Sequence, residues 1–225
     1  MIYFSDISDF ESPFFEAAIE FLPTIKKTEI KKISHEHSKK ESVLAWTLLK
    51  FALSDYGSEI FEKMCFTEKG KPYFSVGKPY FNLSHSGNKV CVAISDSYEI
   101  GVDIQKESNF SPNMIKRVFS DNERNSVGLY GEHNQFFTKL WAVKESFLKY
   151  TGTGISVDLK SIDFSKELNQ NFFIKNNLYY STFKIDDYFI SVCTKESGMQ
   201  NINAVSAIEL INHVKNNGCG CKGEY

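Results

Sequence analysis

The chain lacks a strong excess of charge of either sign: 26 lysine and arginine residues stand against 28 aspartate and glutamate residues, a net charge of -2. A protein built around a nucleic-acid backbone carries a strongly basic balance, so that class is disfavoured and any phosphate site has to be local. No apolar run approaches the ~20 residues needed to span a bilayer. The opening MIYFSDISDF has no basic segment followed by an apolar one, so secretion is not expected either. The expectation is a cytoplasmic protein that binds neither nucleic acid nor membrane. Cysteines are few, an odd set of 5 at positions 65, 91, 193, 219 and 221, with no spacing that suits a disulfide framework or a zinc site. Reduced thiols follow, and the Cys219-Gly220-Cys221 tail is assigned no role.

What is present is enough apolar material for a core. Hydrophobic residues make up 42% of 225 and charged residues 24%, which excludes a disordered chain and allows one large domain or two small ones. A strand is expected at Ile2 to Ile7, and helices at Phe14 to Leu22 and Lys39 to Ser54. Between the helices lie Lys26, Lys27, Lys31, Lys32, Lys39 and Lys40, which read either as a solvated helix face or as a receiver for phosphate. Short β-like runs follow at Lys63 to Thr67, Tyr80 to Leu83, Lys89 to Ile94 and Glu99 to Ile104. A long helix is expected over Asn134 to Tyr150, closed by Gly152 and Gly154, with further strands at Ser161 to Phe164, Tyr179 to Ile185 and Tyr188 to Thr194. The pattern predicts an α+β fold of two similar halves, 1–100 and 101–210, each with an antiparallel sheet packed against a long helix, and a loose tail over 211–225.

On the long helix, Phe136, Phe137, Leu140, Trp141, Val143, Phe147 and Leu148 form one broad apolar arc, and Lys144 falls inside it. A lysine there has to snorkel outward or meet an anion. Glu145 stands at the edge of the arc with Lys149 one turn on, so two lysines bracket a carboxylate. Taken alone, this is an amphipathic helix with an ordinary i,i+4 pair worth a few tenths of a kcal/mol.

A second segment changes the weighting. In Ile100-Gly101-Val102-Asp103-Ile104-Gln105, strand alternation puts Asp103 and Gln105 on one face and Val102 and Ile104 on the other. A carboxylate on a strand and another on a facing helix suit one magnesium ion, which takes oxygen ligands at ~2.0–2.1 Å and is usually shared with substrate phosphates. A third segment, Phe81-Asn82-Leu83-Ser84-His85-Ser86-Gly87, ends a strand in a small-residue turn where amides, a hydroxyl and an imidazole can meet a phosphate.

In this order and spacing, FNLSHSG, IGVDIQ and WAVKESFLKYTGTGIS resemble the surfactin-synthetase-activating type of 4'-phosphopantetheinyl transferase, most closely from Gly70 to Ser156. The resemblance implies a monomeric pseudo-dimer of two related α+β halves with coenzyme A in the cleft between them. It implies magnesium held by Asp103 and Glu145, with Gln105, acidic in many relatives, beside the metal or reaching it through water. It places Ser84 and His85 on the nucleotide phosphates, Lys71 near the adenosine 3'-phosphate with Lys26 joining it, and Lys144 and Lys149 on the pyrophosphate. A basic residue expected near the start of the helix carrying Val43 is replaced by Glu41, unless Lys40 serves in its place.

The implied reaction moves the 4'-phosphopantetheine arm of coenzyme A onto a serine of an apo acyl or peptidyl carrier protein, with Glu145 and Lys149 as catalytic groups. Phe110 to Asn125 reads either as the carrier-facing stretch, with Met114, Lys116, Arg117 and Phe119 as contacts, or as an ordinary surface helix. Two rivals remain: a non-catalytic relative that binds coenzyme A or a carrier protein, and a magnesium-dependent phosphohydrolase on another fold.

Overall fold

The computed structural model describes residues 1–127, 133–154, 157–198 and 200–218. The end of the third motif, at 155 and 156, and the Cys219-Gly220-Cys221 tail lie outside the described residues. The fold is α+β, with two four-stranded sheets, each carrying a long helix, and a separate two-stranded ribbon.

The first half opens with β1 (Ile2–Asp6), α1 (Ser12–Phe21), α2 (Thr24–Ile30) and α3 (Glu36–Ala52). Pro13 sits in the first turn of α1, where its missing N–H costs nothing, and Phe14, Phe15, Ala18 and Phe21 form the buried stripe. The ribbon is β2 (Met64–Phe66) with β3 (Pro72–Phe74). Then come β4 (Tyr80–Ser86) and β5 (Lys89–Ser95), a hairpin that pairs Tyr80 with Ser95 and Ser86 with Lys89.

The second half is β6 (Ile100–Lys106), α4 (Pro112–Val118), α5 (Asp121–Ser126), α6 (His133–Thr151), β7 (Phe172–Lys175), β8 (Leu178–Ile185) and β9 (Tyr188–Thr194). Its strand order is β6-β9-β8-β7, antiparallel throughout. The β7–β8 turn is Asn176-Asn177, both at positive φ, which asparagine tolerates better than most residues and which a tight hairpin demands.

The chain then returns to the first half. β10 (Ile202–Ala204) pairs in parallel with β1, giving the order β10-β1-β5-β4, and α7 (Ala207–Gly218) packs on α1 and α3. This corrects two expectations: 202–210 belongs to the first half, and 211–218 is helix rather than loose tail. Leu210 and Val214, one turn apart, are buried in the first core, which is what holds the helix down. Ser161 to Phe164 is not a strand. A short 3₁₀ turn ends there, Phe164 is buried, and its N–H donates to Glu123 rather than to a ladder partner.

Three apolar clusters follow from strand alternation. Val90, Val92 and Ile94 of β5 face α3, while Cys193 of β9 faces the cluster under α6. The opposite faces of both sheets meet in a seam of Cys91, Ala93, Ile100, Val102, Ile104, Ile190 and Val192. β5 and β9 are therefore buried at every residue.

Candidate active site

The two halves meet along β4 and β6, which lie side by side without pairing as a ladder. The exposed edge of β6 would leave backbone N–H groups unsatisfied in a buried place, a costly arrangement. Side chains of β4 supply the acceptors: Asn82 Oδ1 takes the Val102 N–H at 3.1 Å, Ser84 Oγ the Ile104 N–H at 3.3 Å, and Ser86 Oγ the Lys106 N–H at 3.0 Å. The alternation of polar residues at 82, 84 and 86 is thus the joint between the halves, a use that the sequence reading missed although the period-2 pattern was visible.

On the other side of β6, Gly101 lets α6 approach the strand. A Cβ there would lie 2.1 Å from the Ser146 carbonyl oxygen and 2.4 Å from the Tyr150 nitrogen. Only glycine fits, and the close contact sets Glu145 and Lys149 beside Asp103.

Asp103 is 1% exposed. Its Oδ1 accepts from the Ser84 hydroxyl at 2.8 Å and the Lys149 ammonium at 2.7 Å, and its Oδ2 accepts from the Gln105 amide at 2.8 Å. Lys149 also donates to Ser84 Oγ at 2.6 Å. Burial, and then the Asp103 charge, hold the Glu145 carboxyl above its ordinary range, while Lys149 opposes the shift. Glu145 and Lys149 line a cleft of about 220 Å³ between the halves, together with Lys71, Asn82 and Gly152. Lys71, from the turn between β2 and β3, donates to Glu99 Oε2 at 2.8 Å and to the Tyr150 carbonyl at 3.2 Å, near the negative end of the α6 dipole.

Comparison with known proteins gives one consistent answer. A family model described as the 4'-phosphopantetheinyl transferase superfamily matches residues 99–193. The chain is similar to the 4'-phosphopantetheinyl transferase Sfp of Bacillus subtilis (strain 168), 30% identical over 210 residues, which cover 87% of this chain and 92% of that protein. This chain belongs to the 4'-phosphopantetheinyl transferase superfamily. It is also similar to the 4'-phosphopantetheinyl transferase ffp of Bacillus subtilis, 30% identical over 78% of this chain and 83% of that one. The 4'-phosphopantetheinyl transferase AcpT of Salmonella typhi is 31% identical over 59% of this chain and 67% of its own.

Within this superfamily member, Asp103, Glu145, Gln105, Lys149 and Ser84 come together at one end of the cleft, with Lys71 on its wall. His85 points its Nδ1 at Glu41 Oε1, 3.2 Å away, and stays half-exposed. Glu41 is itself buried, with His37 Nε2 at 3.8 Å on the same oxygen, so the acid standing where a base was expected serves as a counter-charge to the two imidazoles when they are protonated.

Three expected site residues are corrected. Lys144 is not part of a phosphate clamp: it is fully buried, with its ammonium 2.7 Å from Glu123 Oε2, 3.1 Å from the Val118 carbonyl and 2.7 Å from the Leu159 carbonyl. Burial depresses its pKa, with Glu123 acting against the shift. The anion that the apolar arc demanded is internal. Lys26 does not join the cleft group: its ammonium pairs with Glu29 and lies 4.4 Å from the Trp46 ring centroid and 4.7 Å from that of Phe66. In the expected carrier-facing stretch, Met114, Lys116 and Arg117 are exposed, but Phe119 is buried and stacked on Phe137, ring centroids 4.7 Å apart.

No helix of the described residues is long and apolar enough to cross a membrane. Among those residues Cys65, Cys91 and Cys193 are free thiols, and burial pushes Cys193 up to about 12.

Proposed function

We propose that the protein transfers the 4'-phosphopantetheine arm of coenzyme A to a serine hydroxyl of an apo acyl or peptidyl carrier protein. The observation that carries this reading is the meeting of Asp103, Glu145 and Lys149 at one end of the cleft between the halves. One chain supplies both walls, which supports a monomer as the working unit, and we place it in the cytoplasm. A long helix on a four-stranded sheet in each half supports reading the halves as a pseudo-dimer.

The donor set fits magnesium. Asp103 and Glu145 bring two carboxylates close enough for one to raise the pKa of the other, and Gln105 adds an amide oxygen; hard oxygen donors of this kind are the ones magnesium takes. Bound between them, the ion would neutralise charge on the pyrophosphate as the leaving oxygen develops it.

The chain's own residues do the rest. Lys149 and Lys71, which line the cleft, supply cations to its phosphates; His85, 3.2 Å from Glu41, stands outside the cleft lining and is proposed as a further phosphate donor. Glu145 is the proposed base: it lines the cleft beside Lys149 and accepts no hydrogen bond among the described residues, so its carboxylate is free to take the serine hydroxyl proton. The serine oxygen then forms a bond to the β-phosphorus of coenzyme A, and the bond from that phosphorus to the bridging oxygen breaks, releasing adenosine 3',5'-bisphosphate. Asp103→Ala tests the reading: it should abolish transfer while the far-ultraviolet spectrum stays native, and wild-type turnover in that variant would contradict it.

A further inference from the structure

Asp103 is the most enclosed charge of the site, and one cation neutralises it. Lys149 sits 2.7 Å from Oδ1 and 2.6 Å from Ser84 Oγ, so its ammonium is held by two acceptors at once. Ser84 and Gln105 complete the shell of Asp103 with neutral donors. A nearly buried carboxylate without a counter-charge is strongly unfavourable, so in the metal-free protein Lys149 is what makes Asp103 tolerable. Glu145, one helical turn before Lys149, accepts no hydrogen bond among the described residues and lines the same cleft. The Lys149 side chain is 28% exposed, which leaves its flexible stem a route outward.

We propose that Lys149 is a resident counter-ion that a divalent cation displaces: loading of the Asp103–Glu145 pair drives the Lys149 ammonium off Oδ1 and into the cleft. The inference rests on the magnesium reading above. A dication and an ammonium on one carboxylate repel each other at close range, where solvent screening is weak. The lysine has somewhere better to go, because the cleft it lines with Lys71 is where the phosphates of the proposed substrate would lie. Two consequences follow. Lys149 competes with the metal and weakens its binding, and its charge becomes available to the pyrophosphate only after the metal is seated, so metal binding precedes productive binding of coenzyme A.

The test uses magnesium alone, with neither coenzyme A nor carrier present. Titration calorimetry and thermal melting are run on the wild type, Asp103→Ala, Lys149→Met and Lys149→Gln. Lys149→Met removes the charge and the donor, whereas Lys149→Gln keeps a donor for Asp103 and guards against loss of the fold. The expected result is a magnesium dissociation constant about tenfold lower in both neutral variants. Their melting temperature should drop without metal and recover more on adding it than in the wild type. Unchanged or weaker magnesium binding by a folded Lys149→Gln protein, with wild-type binding lost in Asp103→Ala, overturns the counter-ion role and leaves the metal site standing. Wild-type protein that binds no magnesium, or binds it equally well as Asp103→Ala, removes the metal site and this inference with it.

Discussion

The Lys144 ammonium lies 2.7 Å from Glu123 Oε2 with neither side chain exposed to solvent. Glu123 in turn accepts the Ser120 N–H at 2.8 Å and the Phe164 N–H at 2.9 Å, so one buried pair ties α5, α6 and the loop before β7 together. Removing one partner of such a pair leaves an uncompensated buried charge, typically costing about 3–5 kcal/mol. Lys144→Met should therefore lower the denaturation midpoint sharply, even though methionine suits the apolar arc. The double variant Lys144→Met/Glu123→Gln should recover much of the loss, because it removes both charges while the glutamine oxygen keeps an acceptor for the backbone N–H groups that Glu123 holds. Equal stability of Lys144→Met and wild type in urea unfolding would show that the pair is not the anchor described.

Gln105 donates to Asp103 Oδ2 at 2.8 Å, a bond that a carboxylate at this position cannot make. Gln105→Glu should destabilise the metal-free protein and lower the magnesium concentration that gives half-maximal rate, since a third acidic oxygen donor joins the site. An unchanged magnesium dependence would mean that this side chain does not reach the ion.

Asp163 offers a pH test outside the active site. Burial raises its pKa, but hydrogen bonds from Ser165, Ser120 and Asn122 outweigh burial and hold the carboxyl far below its usual value. A folded pKa below the unfolded one adds stability that is complete above the unfolded pKa of about 3.9 and disappears as the pH falls through the folded pKa. Wild type should therefore exceed Asp163→Asn in denaturation midpoint at pH 7, and the gap should close progressively below about pH 4. A gap that is constant between pH 7 and pH 3 would assign the effect to shape rather than charge.

The parts legible in the sequence are those with strong periodicity. β4, β5, β6, α3, α6, β8 and β9 all follow from alternation or helical spacing, and the faces of Asp103 and Glu145 came with them. What was not legible depended on distant partners. Lys144 could be seen to need an anion, but Glu123 stands 21 residues away and joins it only through packing. β10 is three residues long and makes sense only beside β1, 200 residues earlier in register. Gly101 carried no signal as a letter, since its necessity arises from the α6 backbone crossing above it. Ser161 to Phe164 has strand-like residues whose backbone groups are used by caps instead.

The proposed activity of this cleft is group transfer from coenzyme A to a protein serine. The most direct measurement is the intact mass of an apo carrier protein after incubation with the wild-type protein, coenzyme A and magnesium, with a chelator control alongside. The expected product is a carrier heavier by one phosphopantetheinyl group, on its acceptor serine, with release of adenosine 3',5'-bisphosphate and no change in the chelated sample. A panel of acyl and peptidyl carrier proteins, each known to accept the group from another transferase, that all keep their apo mass under these conditions would contradict it.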